Sequence, residues 1–123
     1  MAYMSFSLTP QGTLIQMEGK ADQLVNKENF GPTDHFFAGI GAWMYAGIAS
    51  YGRKFELPVE AITMTLDTTK NETTRLINKM DFQVKFPEGF PPQHQQSILK
   101  NMNACYVKKH LYDPPEVTVT IVE

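Results

Sequence analysis

The chain of 123 residues contains one cysteine, Cys105, and one tryptophan, Trp43. A lone thiol cannot close an intramolecular disulfide, so thiol redox chemistry here would need a second molecule, either a small thiol or a subunit partner. Excess charge is lacking as well. Eleven Lys and Arg against thirteen Asp and Glu leave a net charge of -2, which gives no electrostatic reason to expect nucleic acid among the partners. No apolar run reaches the roughly 20 residues that span a bilayer, because the longest, residues 36–50, is too short and interrupted by glycine. Residues 1–7 show neither the basic nor the apolar region of a signal peptide, and a cytoplasmic location is the expectation. His35, His94 and His110 are scattered, with no Cys or carboxylate cluster beside any of them, so neither a metal nor a cofactor is expected. A glycine-rich phosphate loop and a Ser/His/Asp set are missing too.

What remains is an ordinary globular composition, 42% hydrophobic and 20% charged, with no repeats, low-complexity tracts or linkers. It predicts a single domain over residues 1–123. At this length folding removes roughly two-thirds of the extended-chain surface from water, enough for one modest core.

Residues 5–9 and 13–17 read as a hairpin around Pro10, Gln11 and Gly12, and the polar residues 20–30 read as a loop. Thr33 is placed to cap a helix running to Tyr51, with Asp34 in its first turn and Gly52 as its stop. Phe36, Phe37, Ile40, Trp43, Met44 and Ile48 leave that helix almost no polar face, so it should be covered on most sides and form the centre of the fold. Gly39, Gly41 and Gly47 each cost about 1 kcal/mol of helix propensity, which close approach of a backbone or aromatic ring would justify. Covering such a helix in so short a chain points to a second subunit, and a homodimer is expected.

Residues 61–68 alternate Ile62, Met64 and Leu66 with threonines. Residues 76–86 alternate Leu76, Met80, Phe82, Val84 and Phe86 with Lys79, Asp81, Gln83 and Lys85, and the two segments should pair across the polar connection 67–74. Pro91 and Pro92 open a second helix to Leu111, along which Ile98, Leu99, Met102, Cys105 and Tyr106 form an apolar stripe. Asp113, Pro114 and Pro115 stop it before a last strand, residues 117–122. This order of elements is an α+β domain.

The segment from Gly31 through Asp34, Phe36, Phe37 and Gly39 to Trp43 resembles the central-helix motif of the OsmC/Ohr family, where a glutamate and paired leucines precede small residues and a cysteine. The run Asn103, Ala104, Cys105, Tyr106, Val107, Lys108, Lys109, His110, Leu111, followed by two prolines and a strand, resembles that family's second motif. Order and spacing match over nearly the whole chain. The resemblance implies an OsmC-like fold of antiparallel sheets around a central buried helix, in an intertwined homodimer with two sites at the subunit interface. It also implies a role in hydroperoxide reduction and oxidative-stress defence. In that chemistry the central-helix cysteine attacks the hydroperoxide, an arginine and a glutamate lower its pKa, and the C-terminal cysteine resolves the sulfenic acid.

The departures decide what the resemblance can carry. Trp43 stands in the attacking position, and indole cannot act as a thiolate. No arginine precedes Arg53, and Asp34, nine residues before Trp43, has neither partner. Only Cys105, in the resolving position, matches a redox residue. As a free cysteine on an apolar stripe it reads first as a small buried hydrophobe, with Lys108 and Lys109 able to activate it only if they point inward. Trp43, with Asp34, Phe36, Phe37 and Met102, is the expected pocket, filled by packing or by a lipophilic small molecule or hydroperoxide. The sequence thus supports a protein without family-type peroxidase activity and with a binding or structural role at the dimer interface. The alternative is a single-cysteine thiol peroxidase that uses Cys105 with an external thiol reductant.

Overall fold

The computed structural model describes residues 3–122; Met1, Ala2 and Glu123, the ends of the expected domain, lie outside it. The chain divides into two compact units, residues 1–39 and 40–123.

In the first unit the expected hairpin forms. Strand β1 (Ser5–Thr9) pairs antiparallel with β2 (Gly12–Gln16), placing Phe6 opposite Ile15. The Thr9 hydroxyl accepts from the Gln11 amide at 3.2 Å and donates to the Gly12 carbonyl at 2.8 Å, which closes the turn. Residues 20–30 are not all loop, because β3 (Gln23–Val25) adds a third strand to β2 and carries the buried Val25. Three residues are too few for alternation to show in the sequence.

Helix α1 (Pro32–Phe55) begins in this unit. Pro32 fits the first helical position, where no amide is needed. Thr33 is not the cap; the Asp34 carboxylate reaches back to accept from the Gly31 amide at 2.9 Å, the return half of a capping box. The helix also runs past Gly52, its expected stop. It ends one turn later, where Glu56 takes φ 54° and the Leu57 amide donates to the Gly52 carbonyl at 2.9 Å. Gly52 is inside the helix for a steric reason: a Cβ there would lie 1.7 Å from Val59 Cγ1.

The second unit holds the rest of α1, followed by a turn of 3-10 helix, Val59–Ala61, which delays the next strand beyond residue 61. Strands β4 (Thr63–Lys70) and β5 (Ile77–Lys85) pair antiparallel as expected, with Met64 opposite Val84 and Leu66 opposite Phe82. Pairing continues to Lys70, so the connection is residues 71–76, shorter than 67–74, and Leu76 is exposed outside the strand. The Asn71 side chain accepts from the amides of Thr73 and Thr74 and holds that turn.

The expected second helix is two, α2 (Pro92–Asn103) and α3 (Tyr106–Tyr112). Between them the backbone tightens, the Ala104 and Cys105 amides donating to the carbonyls of Asn101 and Met102 at 3.2 and 3.1 Å. The Asn103 side chain turns back to the Leu99 carbonyl at 3.0 Å, local bonding that makes asparagine a weak helix former. The core gathers Ile40, Met44, Ile48, Ile62, Phe90, Ile98, Met102 and Cys105, with Ile48, Ile62 and Ile98 fully buried.

Within one chain helix α1 buries Ile40, Met44, Ile48 and Gly52, with Gly41 beside them, a single stripe at four-residue spacing, and the further covering expected of a second subunit is not supplied by the chain itself. Of the glycines expected to admit close neighbours, Gly41 does so, since a Cβ there would meet the Phe82 ring at 3.3 Å, while Gly39 has nothing within 4 Å. The last strand does not form. Residues 114–122 are irregular, and Val117, Val119 and Ile121 are 81%, 93% and 97% exposed.

Candidate functional site

Cys105 follows the end of α2 and caps α3, with φ -57° and ψ 132°, so it interrupts the helical stripe on which the sequence placed it. Its side chain joins the apolar core with Met102, and the residue is 7% exposed. Among the described residues no polar or charged side chain is buried, and the thiol therefore sits in an apolar setting. Reactive cysteines are partly exposed as well as electropositive in their surroundings, and Cys105, although it stands at the N-terminus of the short helix α3, is buried among apolar side chains. Lys108 does not supply a cation to it: its ammonium donates to Asn103 Oδ1 at 2.8 Å and lies 5.8 Å over the Tyr112 ring. Lys109 is exposed, as are both arginines, Arg53 near the end of α1 and Arg75 in the β4–β5 turn.

Trp43 is 52% exposed, so it does not fill a closed pocket within one chain. Its ring lies 6.1 Å from that of Tyr106, and Tyr106 in turn meets His110 edge-on at 4.9 Å. The His110 Nδ1 is 3.1 Å from the Tyr106 carbonyl, which accepts a hydrogen bond when that nitrogen carries the proton. The result is a surface ladder of three rings, beginning on the outer side of α1 and continuing along α3. On the same outer side Ala42, Ala46 and Ser50 are exposed and carry no charge.

The remaining expected pocket residues belong to the first unit. Asp34 is occupied as a helix cap, and Phe36, 53% exposed, touches Phe37 with ring centroids 5.8 Å apart. The structure thus brings Met102 together with Cys105 in the core, and brings Trp43 to Tyr106 on the surface.

Tyr106 was visible in the sequence only as part of a stripe; its partnership with His110 follows from their spacing of four on a helix. A second pair left no local signal. Tyr51 Oη and His94 Nδ1 are 2.8 Å apart, with the tilted Phe55 ring centred 4.9 Å from the imidazole. His94 is half-buried and pins α2 to α1. No group of three or more His, Cys, Asp or Glu side chains able to hold a metal occurs among the described residues. In the first unit a concavity of about 580 Å³ is lined by Gln11, Leu24, Asn26, Lys27 and their neighbours, none of which the sequence marked as functional.

No protein-family model and no curated protein matches the sequence. Solved structures do match the fold. A Psychrobacter arcticus protein assigned to osmotic-stress induction and detoxification response superposes with a TM-score of 0.74 at 15% identity, over 89% of this chain and 87% of that one. The organic hydroperoxide resistance protein OhrB of Bacillus subtilis does so with a TM-score of 0.54 at 15% identity, over 89% and 90%. The α+β fold is therefore the OsmC/Ohr fold, as the two sequence motifs implied.

Proposed function

We propose that this chain, which has the OsmC/Ohr fold, is an OsmC-like family member that has lost the family's peroxidase chemistry and binds a lipophilic small molecule at a homodimer interface. The observation that carries the reading is the exchange of roles between two residues. Trp43, where the attacking thiol would stand, is an exposed aromatic beside Tyr106, and the one remaining thiol, Cys105, is packed into the core. An indole on an uncharged helix face suits an apolar ligand or a second subunit and has no nucleophile to offer. Oxidative-stress defence comes to this chain as a family role, through the detoxification and hydroperoxide-resistance proteins that share its fold. The ligand class is accordingly a lipophilic molecule of the size of an organic hydroperoxide, bound without turnover. A cytoplasmic, single-domain protein fits a lone unpaired thiol. No helix of the described residues is long and apolar enough to cross a membrane.

Because Trp43 is the sole tryptophan, its emission reports this surface directly. Titration with a medium-chain fatty alcohol is expected to give a saturable blue shift, abolished in Tyr106→Lys. Emission that stays unchanged up to the solubility limit of the probe overturns the ligand reading. The alternative, peroxide reduction through Cys105 with an external thiol, requires the core to open around that residue.

A further inference from the structure

We infer that Tyr51 is a one-electron donor to peroxyl radicals, with His94 as the base that takes its proton. The inference stands apart from the ligand and the homodimer proposed above, since both residues belong to the second unit of one chain and neither is part of the Trp43, Tyr106 and His110 ladder.

A phenol gives up an electron readily only if its proton leaves with it, because the radical cation that otherwise forms is a very strong acid. A hydrogen-bonded base therefore decides which tyrosine of a protein is oxidised. This chain has five tyrosines. Tyr51 Oη lies 2.8 Å from His94 Nδ1, and among the described residues it is the one tyrosine hydroxyl bonded to a side-chain base. The Tyr45 hydroxyl donates to the Ile62 carbonyl, a peptide oxygen that does not hold a proton in water. Tyr3, Tyr106 and Tyr112 are exposed. With the His94 ring protonated on Nε2, Nδ1 presents its lone pair to the phenol, which satisfies both groups.

In the step, Tyr51 loses one electron to the peroxyl radical and its hydroxyl proton to His94. The O–H bond breaks and an N–H bond forms at Nδ1, leaving a neutral phenoxyl radical hydrogen-bonded to an imidazolium. The peroxyl radical becomes a hydroperoxide anion, takes a proton from water and leaves as the hydroperoxide. His94 stands in the first turn of α2, whose positive end favours return of the proton once an electron is restored.

The surroundings suit such a donor. The Phe55 ring is centred 4.8 Å from that of Tyr51 and 4.9 Å from the imidazole, which holds the pair in place, and both partners are half-buried. Partial burial hinders the coupling of two phenoxyl radicals, whereas an electron needs no direct contact to leave. Trp43, the oxidisable ring at the surface, precedes Tyr51 on the same helix by about 12 Å of helical rise, so an electron vacancy made at Trp43 has a site with a base ahead of it. The route needs no thiol.

The test exposes the purified full chain to alkylperoxyl radicals from a water-soluble azo initiator and reads frozen samples by electron paramagnetic resonance, alongside Tyr51→Phe and His94→Gln. Tyr51→Phe keeps the ring and its packing, His94→Gln leaves the phenol without its base, and circular dichroism checks that both fold. The native chain should give a tyrosyl signal that falls about tenfold in Tyr51→Phe and severalfold in His94→Gln. A readout on the native chain alone needs no variant: in heavy water, where a deuteron must move, the signal should form at least twofold more slowly. A native chain without a tyrosyl signal, or an undiminished signal in folded Tyr51→Phe, overturns the donor. An undiminished signal in folded His94→Gln, or equal rates in the two solvents, overturns the base and leaves the pair as a structural pin.

Discussion

The two units use their apolar residues in opposite ways. In residues 40–123 the aliphatic side chains of α1, α2 and the β4–β5 ribbon converge on one cluster, down to full burial of Ile48, Ile62 and Ile98. In residues 1–39 the buried hydrophobic residue is Val25, while Phe6, Leu8, Phe30 and Phe36 lie exposed. The second unit therefore carries its own stability. The three strands of the first bury too little to stand on packing among themselves, because a small sheet needs a covered apolar face. The same contrast runs through the candidate site: the residue that could still do chemistry is in the core, and the residue that cannot is on the surface.

Substitutions can break or sharpen this contrast. The largest effect is expected for Ile98→Ala, which deletes a fully buried side chain and should cost about 2–5 kcal/mol in urea denaturation. Gly52→Ala comes next. Its Cβ would overlap Val59, and the overpacking should cost about 1–3 kcal/mol with a matching drop in Tm. Asp34→Ala removes the carboxylate that caps α1, a loss of about 1 kcal/mol that Asp34→Asn should partly restore. Leu8→Ala should change stability by no more than about 0.5 kcal/mol in the same measurement, since the residue 8 side chain is exposed. A loss at Leu8 approaching that at Ile98 would show that the first unit packs a core of its own.

The sequence carried the elements whose signals are local. Alternation at Ile62, Met64 and Leu66, and again at Met80, Phe82 and Val84, located the paired ribbon, and Pro92 located the start of α2. The end of α1 was misplaced because a glycine was read as a terminator, when Gly52 serves a contact with Val59 that no local pattern announces. The break before Cys105 was missed for a related reason. Apolar spacing continues through Asn103 and Ala104 while the backbone tightens there, the Ala104 and Cys105 amides turning to the carbonyls three residues back. At the site, the sequence put Trp43 where the resemblance implies a nucleophile. It could not tell that Trp43 faces outward, because α1 is apolar on nearly every side and burial of one stripe is settled by its neighbours, Phe82 and Met64 among them. The final segment alternates as a strand would but is irregular in the structure, with no pairing among the described residues, since alternation specifies a strand without naming what it pairs with.

The central claim is that the one thiol packs and does not react. It is tested most directly by following the consumption of an alkyl hydroperoxide by the purified chain in the presence of a dithiol reductant, alongside Cys105→Ala. The account predicts equal rates for the two proteins, no faster than the reductant alone. Turnover by the native chain that disappears in a folded Cys105→Ala variant would contradict it.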